Sequence, residues 1–217
     1  MMRYSAIGVY STGKILLDGV IASPGEGSVR VPAILLCHPH PMLGGDMNNP
    51  VVAALEYEAN ERGMASMRFD FRGVGRSEGD FSNGEQEWND VKHALNFLKG
   101  FPGVDGSKIG IVGYSFGASV VLRAVSKLKP VKAFALIAPP LGSVEASGVK
   151  KDKRSKLFVV GQNDNVVPSL RLQRQLDDLR GPVQFTEIPE ADHRLNGHEQ
   201  AVSNRVVDFM LQTLLPN

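Results

Sequence analysis

Three residues of the sequence have the chemistry of a covalent catalyst and follow one another in the order serine, aspartate, histidine. Ser115 lies in GYSFG (residues 113–117), Asp164 in GQNDNVVP and His193 in IPEADHRLNGHE. A serine hydroxyl is a weak nucleophile at neutral pH, so it needs a base to take its proton and an acid to orient that base. The three residues together predict nucleophilic hydrolysis, with Ser115 as nucleophile, His193 as base and Asp164 as acid.

The serine motif is informative because of the residues that flank it. GYSFG follows the apolar run KIGIV and precedes ASVVLRAVSKL, which has a helical pattern. A serine on a sharp strand-to-helix turn exposes its hydroxyl, and flanking glycines relieve the crowding of that turn. The bare pattern also arises by chance, and the alternative role for Ser115 is to cap a helix. The strand and the helix around it favour the nucleophile.

The acid and the base each have an alternative. Asp164 follows the predicted strand KLFVV, at the carboxyl end of a parallel strand, where sites in open α/β sheets collect. Its alternative role is that of a turn residue. Asp192 is a second candidate acid, but a side chain next in sequence to His193 does not easily fold back onto its ring. His198 is a second candidate base, although its place at the start of the last predicted helix suits a cap or an exposed residue.

Acyl transfer also requires donors for the oxyanion that develops on the substrate. The backbone N–H of Phe116 follows the nucleophile at a helix N-terminus and is the first predicted donor. The second should come from HPHP after the run PAILLC; prolines have no N–H, which leaves His40, with Met42 as the alternative. Metal binding by His38 and His40 is a competing hypothesis that lacks a third clustered ligand. The predicted substrate contacts are Met42, Leu43 and Tyr114.

Short apolar runs alternate with helical patterns along the chain and would position these residues. Strands are predicted at 3–10, 14–22, 32–37, 64–69, 108–112, 132–138, 156–160 and 183–188. Helices are predicted at 50–62, 85–99, 117–128, 169–179 and 198–214. The first two strands are predicted to form an antiparallel pair. The alternation predicts an α/β fold: a doubly wound, mostly parallel eight-stranded sheet with helices on both faces.

The composition is that of a globular protein with balanced charge. Of 217 residues 42% are hydrophobic, and 24 basic residues against 23 acidic ones give a formal net charge of +1. The length favours a single domain over residues 1–217. The balanced charge predicts neither a nucleic-acid nor a membrane partner. The basic run at residues 150–156 is predicted to be a solvated loop.

Two features bear on the cellular compartment. Residues 1–20 lack the uninterrupted apolar core of a signal peptide, and no stretch reaches the ~18 apolar residues that span a bilayer, so a cytoplasmic location is predicted. The single cysteine, Cys37, cannot form an internal disulfide, which agrees with a reducing compartment. Its place in the run AILLC predicts a buried thiol rather than a reactive one.

Five segments together resemble a known superfamily: CHPHPMLGG, RFDFRGVGRSEG, GYSFG, GQNDNVVP and ADH. They look like the α/β hydrolases, and within these the small lid-free branch of dienelactone-hydrolase-like serine esterases. The resemblance runs from about residue 15 onward. It implies a triad of Ser115, Asp164 and His193 and hydrolysis without a cofactor. It also implies that Asp70, Arg72 and Gly73 hold loops rather than take part in the chemistry.

Two departures from that family limit what can be carried over. Dienelactone hydrolases have a cysteine nucleophile where this chain has Ser115, so their substrate is not expected here. Such esterases are expected to have apolar or aromatic residues after the catalytic histidine, whereas this chain has Arg194. A cap domain is commonly inserted after the sixth strand of α/β hydrolases, but residues 139–155 show no convincing helical period and leave no room for one.

The expected function is therefore a serine carboxylesterase for small, short-acyl esters, because a site without a cap has few apolar walls for a long chain. An acyl-CoA thioesterase or a small peptidase would use the same residues, and the fold does not choose among them. A non-catalytic interaction module on the hydrolase fold is the alternative from another class. The expected partner is a small ester substrate, and assembly into a homo-oligomer stays open.

Overall fold

The computed structural model describes residues 2–24, 27 and 29–215 and contains an eight-stranded sheet in the order β1-β2-β4-β3-β5-β6-β7-β8. The strands are β1 (Arg3–Tyr10), β2 (Leu16–Ser23), β3 (Val31–Cys37), β4 (Ala65–Phe69), β5 (Val104–Tyr114), β6 (Val131–Ile137), β7 (Ser155–Gly161) and β8 (Val183–Ile188). β2 pairs antiparallel with both β1 and β4, and the remaining neighbours are parallel. The predicted mostly parallel sheet is confirmed.

The helices are α1 (Pro50–Glu61), α2 (Glu87–Gly100), α3 (Phe116–Ala124), α4 (Leu141–Ala146), α5 (Ser169–Leu176) and α6 (Glu199–Leu214), with 3₁₀ turns at Thr12–Lys14, Pro41–Leu43 and Gly148–Lys151. They form two layers. α1 and α6 cover one face of the sheet, and α2, α3 and α5 cover the other. Within the described ranges, none of the helices has the length and apolar character needed to cross a bilayer.

β3 shows why the inner strands are continuously apolar. Leu35 and Cys37 belong to the apolar layer under α2 and α3, while Ile34 and Leu36 belong to the layer under α1 and α6. Alternate side chains of a strand point to opposite faces, so a strand covered on both faces needs apolar residues at every position. Burial raises the pKa of the Cys37 thiol well above its ordinary value, which agrees with the prediction of a buried, unreactive cysteine.

The segment at residues 139–155 differs from its prediction. It forms α4 and the 3₁₀ turn at Gly148–Lys151, where the sequence shows no convincing helical period. Val144 and Val149, one in each of these elements, are fully buried in the layer that contains α3. Two apolar anchors are enough to fix so short a segment, but they are too few to produce a periodic pattern. Within the described residues no cap domain is present, as predicted.

The basic run at residues 150–156 is only partly solvated, which corrects the prediction of a solvated loop. Lys151 and Lys153 are exposed. Lys156 is fully buried, and its Nζ donates to three backbone carbonyl oxygens, one of them that of Arg154 at 2.6 Å. Arg154 lies over the ring of Phe134 and donates to carbonyls that follow α3. These hydrogen bonds offset the loss of hydration, which charge patterning in the sequence does not reveal.

The register of the parallel strands brings the candidate residues to one edge. Cys37 at the end of β3 is level with Phe69 of β4 and Gly113 of β5, and Tyr114 is level with Ile137 of β6. The loops after these strands therefore leave the sheet side by side. This edge, at the carboxyl ends of the strands, is where open α/β sheets bind ligands.

Candidate active site

The turn between β5 and α3 holds Ser115 in a backbone conformation that few residues adopt, with φ at 50° and ψ at −107°. A Cβ on Gly113 would lie 2.7 Å from Cα of Ala118, and one on Gly117 would lie 2.3 Å from the carbonyl oxygen of Cys37. Both positions therefore require glycine. Such a conformation costs on the order of 1–3 kcal/mol and persists only where its surroundings hold it in place.

His193, in the loop after β8, lies next to this serine. Its Nε2 is 3.0 Å from Ser115 Oγ, and 22% of its side chain is exposed. The hydroxyl of Tyr114 donates a hydrogen bond of 2.8 Å to the backbone carbonyl of His193. Burial raises the pKa of the Tyr114 hydroxyl, so this donor keeps its proton. The imidazole is thus fixed from its backbone while Nε2 faces the hydroxyl.

Asp164 approaches the other nitrogen of the same ring. Its Oδ2 lies 2.8 Å from His193 Nδ1, and its side chain is fully buried. Its Oδ1 accepts the backbone N–H groups of Val166 and Val167 at 2.8 and 2.7 Å. These donors fix the orientation of the carboxylate. A proton on Nδ1 then faces the carboxylate and leaves Nε2 free to accept the proton of Ser115.

The loops that carry the acid and the base touch each other directly. The N–H of Asn163 donates to the carbonyl of Ala191 at 2.8 Å. A Cβ on Gly161, at the end of β7, would lie 2.4 Å from that same carbonyl oxygen. Glycine at this point allows the close approach that brings Asp164 to His193.

The alternative acid and base have other contacts. Asp192 Oδ1 accepts the N–H groups of Arg194 and Leu195 at 2.8 and 3.2 Å, so its carboxylate closes the turn after His193. His198 immediately precedes α6, and its backbone N–H donates to the carbonyl of Leu195. The structure therefore brings together Ser115, His193 and Asp164, not the alternatives.

The backbone N–H groups of Phe116 and His40, the two predicted oxyanion donors, have no acceptor in the described part of the chain. The N–H of Met42, the alternative donor, is engaged by His40 Nδ1 at 3.2 Å. The His40 ring packs edge-on against the ring of Phe116, with 5.1 Å between centroids. This contact fixes the loop after β3 beside the nucleophile turn. The geometry favours His40 over Met42 as the second oxyanion donor.

Backbone groups occupy both ring nitrogens of His38. It is fully buried, its Nε2 accepts the N–H of Phe71 at 3.1 Å, and its Nδ1 lies 2.7 Å from the carbonyl of Pro39. Burial lowers its pKa to about 4, so the ring is neutral at pH 7. Both nitrogens are already hydrogen bonded. Residues 2–24, 27 and 29–215 contain no cluster of three or more metal-ligating side chains.

The segment after β4 holds loops in place, as the resemblance implies. Asp70 Oδ1 accepts the N–H of Met47 at 2.7 Å, and burial raises the pKa of this carboxyl to about 6. Arg72 Nε and Nη2 donate to the buried carboxylate of Asp90. Gly73 has a φ of 71°, and a Cβ there would meet a backbone nitrogen at 2.5 Å. None of these three residues lines the cavity that contains Ser115.

The cavity that contains Ser115 has a volume of about 200 Å³. Two of the predicted substrate contacts, Leu43 and Tyr114, lie on its wall, but Met42 does not. Met42 is 76% exposed, because the 3₁₀ turn that contains it leaves its side chain in solvent. Several wall residues have no motif of their own and cannot be predicted from the sequence, and Arg194 is visible there only as a departure from the family. The full wall is Pro39, His40, Leu43, Gly44, Gly45, Asn49, Tyr114, Ser115, His193, Arg194 and Asn196.

A family model and a curated relative each match most of this chain. Residues 13–173 match the family described as X-Pro dipeptidyl-peptidase (S15 family). The uncharacterized protein RP471 of Rickettsia prowazekii is 29% identical over 195 residues, which cover 85% of this chain and 80% of that protein.

Two solved structures are similar over nearly the whole chain. XC6422 from Xanthomonas campestris, described as an α/β serine hydrolase without lid, has a TM-score of 0.82 and 26% identity over 99% of this chain and 96% of its own. An α/β serine hydrolase homologue from Coxiella burnetii has a TM-score of 0.80 and 27% identity over 94% of this chain and 96% of its own. Both neighbours are described as α/β serine hydrolases or homologues of them, and one of the two is described as lacking a lid.

Proposed function

The chain belongs to the X-Pro dipeptidyl-peptidase (S15) family, within the α/β hydrolases, and on that premise we propose that it is a serine carboxylesterase for small, short-acyl esters. That it is an enzyme of the α/β serine hydrolase type follows from these relatives. The catalytic part of the proposal is supported chiefly by one alignment of atoms, and the choice of short-acyl esters by the cavity around it. Ser115 Oγ, the two ring nitrogens of His193 and Asp164 Oδ2 form a continuous chain with separations of 3.0 and 2.8 Å.

The proposed reaction has two halves. Ser115 Oγ attacks the carbonyl carbon while its proton passes to His193 Nε2, and the carbonyl oxygen becomes an oxyanion. The tetrahedral intermediate collapses, the bond to the alcohol oxygen breaks, and His193 returns the proton to the leaving alcohol. A water then attacks the acyl-enzyme with His193 again as base, which releases the acid and restores the Ser115 hydroxyl.

Three other groups of the site would stabilise the charges that develop during the reaction. Asp164 carries a negative charge next to Nδ1, so it stabilises the imidazolium that forms when His193 takes the proton. The N–H groups of Phe116 and His40 would bind the oxyanion, and loss of one such donor typically costs about 10²–10³ in kcat. Phe116 is the first residue of α3, so the positive end of the helix dipole reinforces its N–H.

Family membership favours a second candidate, peptide hydrolysis, but the cavity composition favours esters. An enzyme that removes dipeptides must bind the cationic amino terminus of its substrate, for which a carboxylate in the cavity is the natural partner. None of the described residues that line the Ser115 cavity is acidic, and Arg194 is among them. A cation on this wall disfavours an ammonium group and tolerates a neutral ester.

The cavity also favours short acyl chains. Each further CH₂ gains about 0.8 kcal/mol only when it is buried, and the cavity measures about 200 Å³. Most of its wall residues are polar or glycine. The aliphatic wall residue Leu43 is 86% exposed. Long acyl chains would remain in water and gain little binding in the transition state.

The proposal is tested with p-nitrophenyl esters of about two to twelve acyl carbons, alongside an acyl-CoA thioester and an X-Pro p-nitroanilide. We expect kcat/KM to peak at roughly two to six carbons and to show no rise above the solubility limit of the long esters. Ser115→Ala is the control for non-enzymatic hydrolysis. A maximum at about ten carbons or more, or a higher kcat/KM on the p-nitroanilide than on any ester, would contradict it.

A further inference from the structure

A second cavity, of about 530 Å³, begins at Phe116 and runs along α3, away from Ser115. We call it the α3 groove. It is bounded by α3, by α4 with the turn after it, and by the loop that precedes α2. Its wall consists of Asn83, Gly84, Phe116, Ser119, Val120, Arg123, Gly142, Ser143, Ala146, Ser147 and Gly148.

The floor of the α3 groove is one face of α3. Phe116, Ser119, Val120 and Arg123 are spaced by three and four residues, which places them in one row along the helix. Ser119 Oγ lies 3.5 Å from the backbone carbonyl of Ser115, so the groove starts within one helical turn of the nucleophile. The two cavities have no described wall residue in common, and Phe116, the residue after Ser115, lies at the end of the groove nearest the nucleophile.

The first wall is a loop that a buried carboxylate holds rigid. Glu87 is fully buried and accepts the N–H groups of Ser82 and Gly84 at 2.7 and 2.8 Å, and the Ser82 hydroxyl at 2.7 Å. Between these two donors, Asn83 has a φ of 54°, a conformation rare for a residue other than glycine. The loop is thus fixed in one shape beside the groove.

The opposite wall is formed by α4 and the turn that follows. The hydroxyl of Ser143 donates to that of Ser119 at 2.9 Å, which links α4 to the floor. Ser147, at the end of α4, donates to the carbonyl of Val144. The groove therefore has hydroxyl groups along both the floor and this wall, and its polarity suits a polar ligand rather than a bare acyl chain.

Arg123 is the charged residue of this groove. In the described part of the chain it forms no ion pair, and none of the other wall residues is charged. A guanidinium offers several N–H donors in a planar fork that matches carboxylate and phosphate oxygens. The Cα–Cβ bond of every helical residue tilts toward the helix N-terminus, so the Arg123 side chain starts in the direction of the nucleophile end of the groove.

We propose that the α3 groove is a substrate subsite for an anionic end group, with Arg123 as the residue that binds it. The proposal rests on the proposed esterase function and narrows its substrates to esters that carry a carboxylate or phosphate distant from the scissile bond. Arg123 is eight residues after Ser115, or about 12 Å along the helix axis. The anionic group must then be several bonds away from the ester, and a group directly next to it cannot reach.

Binding is tested first, without turnover. The Ser115→Ala protein is titrated by calorimetry with adipate, with butyl phosphate and with neutral adipamide. We expect adipate or butyl phosphate to bind, adipamide not to, and Arg123→Met in the same background to weaken that binding about tenfold or more, which is about 1.4 kcal/mol. Stronger binding of one anion identifies which end group is preferred. Arg171, an exposed arginine of α5 outside the groove, supplies the matched control Arg171→Met.

Turnover supplies the second test. Each p-nitrophenyl hemiester of a dicarboxylic acid is compared with the neutral ester of equal chain length, and the ratio of their kcat/KM values is the readout. We expect Arg123→Met to lower this ratio about tenfold for hemiesters long enough to reach the groove. Arg123→Lys should lower it less, since it keeps the charge but loses the fork. Arg171→Met should leave the ratio unchanged.

The outcomes separate the two proposals. No Ser115-dependent hydrolysis of any ester would defeat the proposed function. Hydrolysis of neutral esters with no preference for anionic ones, and no binding of adipate or butyl phosphate, would overturn only the subsite. A loss of anion preference in Arg194→Met but not in Arg123→Met would also overturn it, because Arg194 lies in the Ser115 cavity and not in the α3 groove.

Discussion

The described part of the sheet edge carries two histidine–aspartate pairs, and they differ in what the histidine contacts besides the aspartate. His193 meets Asp164 at 2.8 Å and Ser115 Oγ at 3.0 Å. His38 lies 3.9 Å from Asp70, with both of its nitrogens engaged by backbone groups. His193 is partly exposed beside the cavity, whereas His38 is fully buried.

The difference shows what makes a histidine a base in this protein. His193 has one nitrogen oriented by a carboxylate and the other facing the Ser115 hydroxyl, which is the geometry that a base for that hydroxyl requires. His38 accepts a backbone N–H and lies in apolar surroundings, where burial lowers its pKa to about 4. A proton on His38 Nε2 would break the hydrogen bond with Phe71. In the proposed mechanism His193 of the first pair takes up and returns the proton of Ser115, whereas the second pair holds the loops after β3 and β4.

The largest expected effect comes from His193→Ala. Loss of the base should lower kcat on p-nitrophenyl butyrate by roughly four or more powers of ten. The melting temperature should change little, because His193 is partly exposed. Steady-state kinetics with parallel calorimetry measures both. A variant with more than about a tenth of the original kcat would remove His193 from the proposed mechanism.

Asp164→Asn should follow with a loss of roughly three to four powers of ten in kcat, somewhat less than for His193→Ala, because the acid orients the base but does not move the proton. Its matched control is Asp192→Asn, a neighbour of His193 whose carboxylate closes a turn. We expect the control to lose far less kcat. A larger loss in Asp192→Asn than in Asp164→Asn would reverse the assignment of the acid.

His38→Leu should affect folding far more than chemistry. The change leaves the N–H of Phe71 buried without its acceptor, at a cost of about 1–3 kcal/mol in the free energy of unfolding. Urea titration measures that loss, and kcat per folded molecule should fall less than about tenfold. If kcat fell as far as in His193→Ala while the protein stayed folded, the distinction between the two histidines would fail.

Asp70→Asn should change the pH dependence of stability. Burial raises the folded-state pKa of Asp70 from 3.8 to about 6, so its contribution to stability decreases as pH rises through that window. His38 has its pKa lowered from 6.5 to about 4, so its contribution decreases as pH falls, and the two oppose each other. Replacement of Asp70 by asparagine leaves the pH dependence of stability that comes from His38 unopposed.

The variant should therefore lose stability more steeply than the original protein between pH 6.5 and about 4, by up to about 1.4 kcal/mol per pH unit. Chemical denaturation at several pH values measures the difference. Parallel stability curves for the two proteins would contradict the assigned pKa shifts. Asn at this position can still accept the N–H of Met47, so a uniform loss of stability should stay small.

Much of the fold follows from the sequence, because the parallel strands are apolar at nearly every position and glycines mark the tight turns. The order Ser115, Asp164, His193 is also visible, since each residue follows a predicted strand. The backbone contacts among their loops are not visible in the sequence, because no motif around Gly161 indicates its close approach to Ala191. Sequence spacing alone could not show that these loops meet.

Other features depend on hydrogen bonds between segments distant in sequence. Lys156 belongs to a basic run, yet it is buried because carbonyls of three separate residues accept its protons. The N–H of Met42 is unavailable to a substrate because the side chain of His40 accepts it. The α3 groove is formed by elements from three parts of the chain, one of which, α4, lacks a periodic pattern.

The central claim is that Ser115 is activated as a nucleophile by His193, and labelling with a fluorophosphonate probe tests it most directly. The original protein should react within minutes at neutral pH, with the adduct on the peptide that contains Ser115, because only an activated serine reacts fast. Ser115→Ala should not react, and His193→Ala should react very slowly. Absence of labelling in the folded original protein, or equal labelling in Ser115→Ala, would contradict the account.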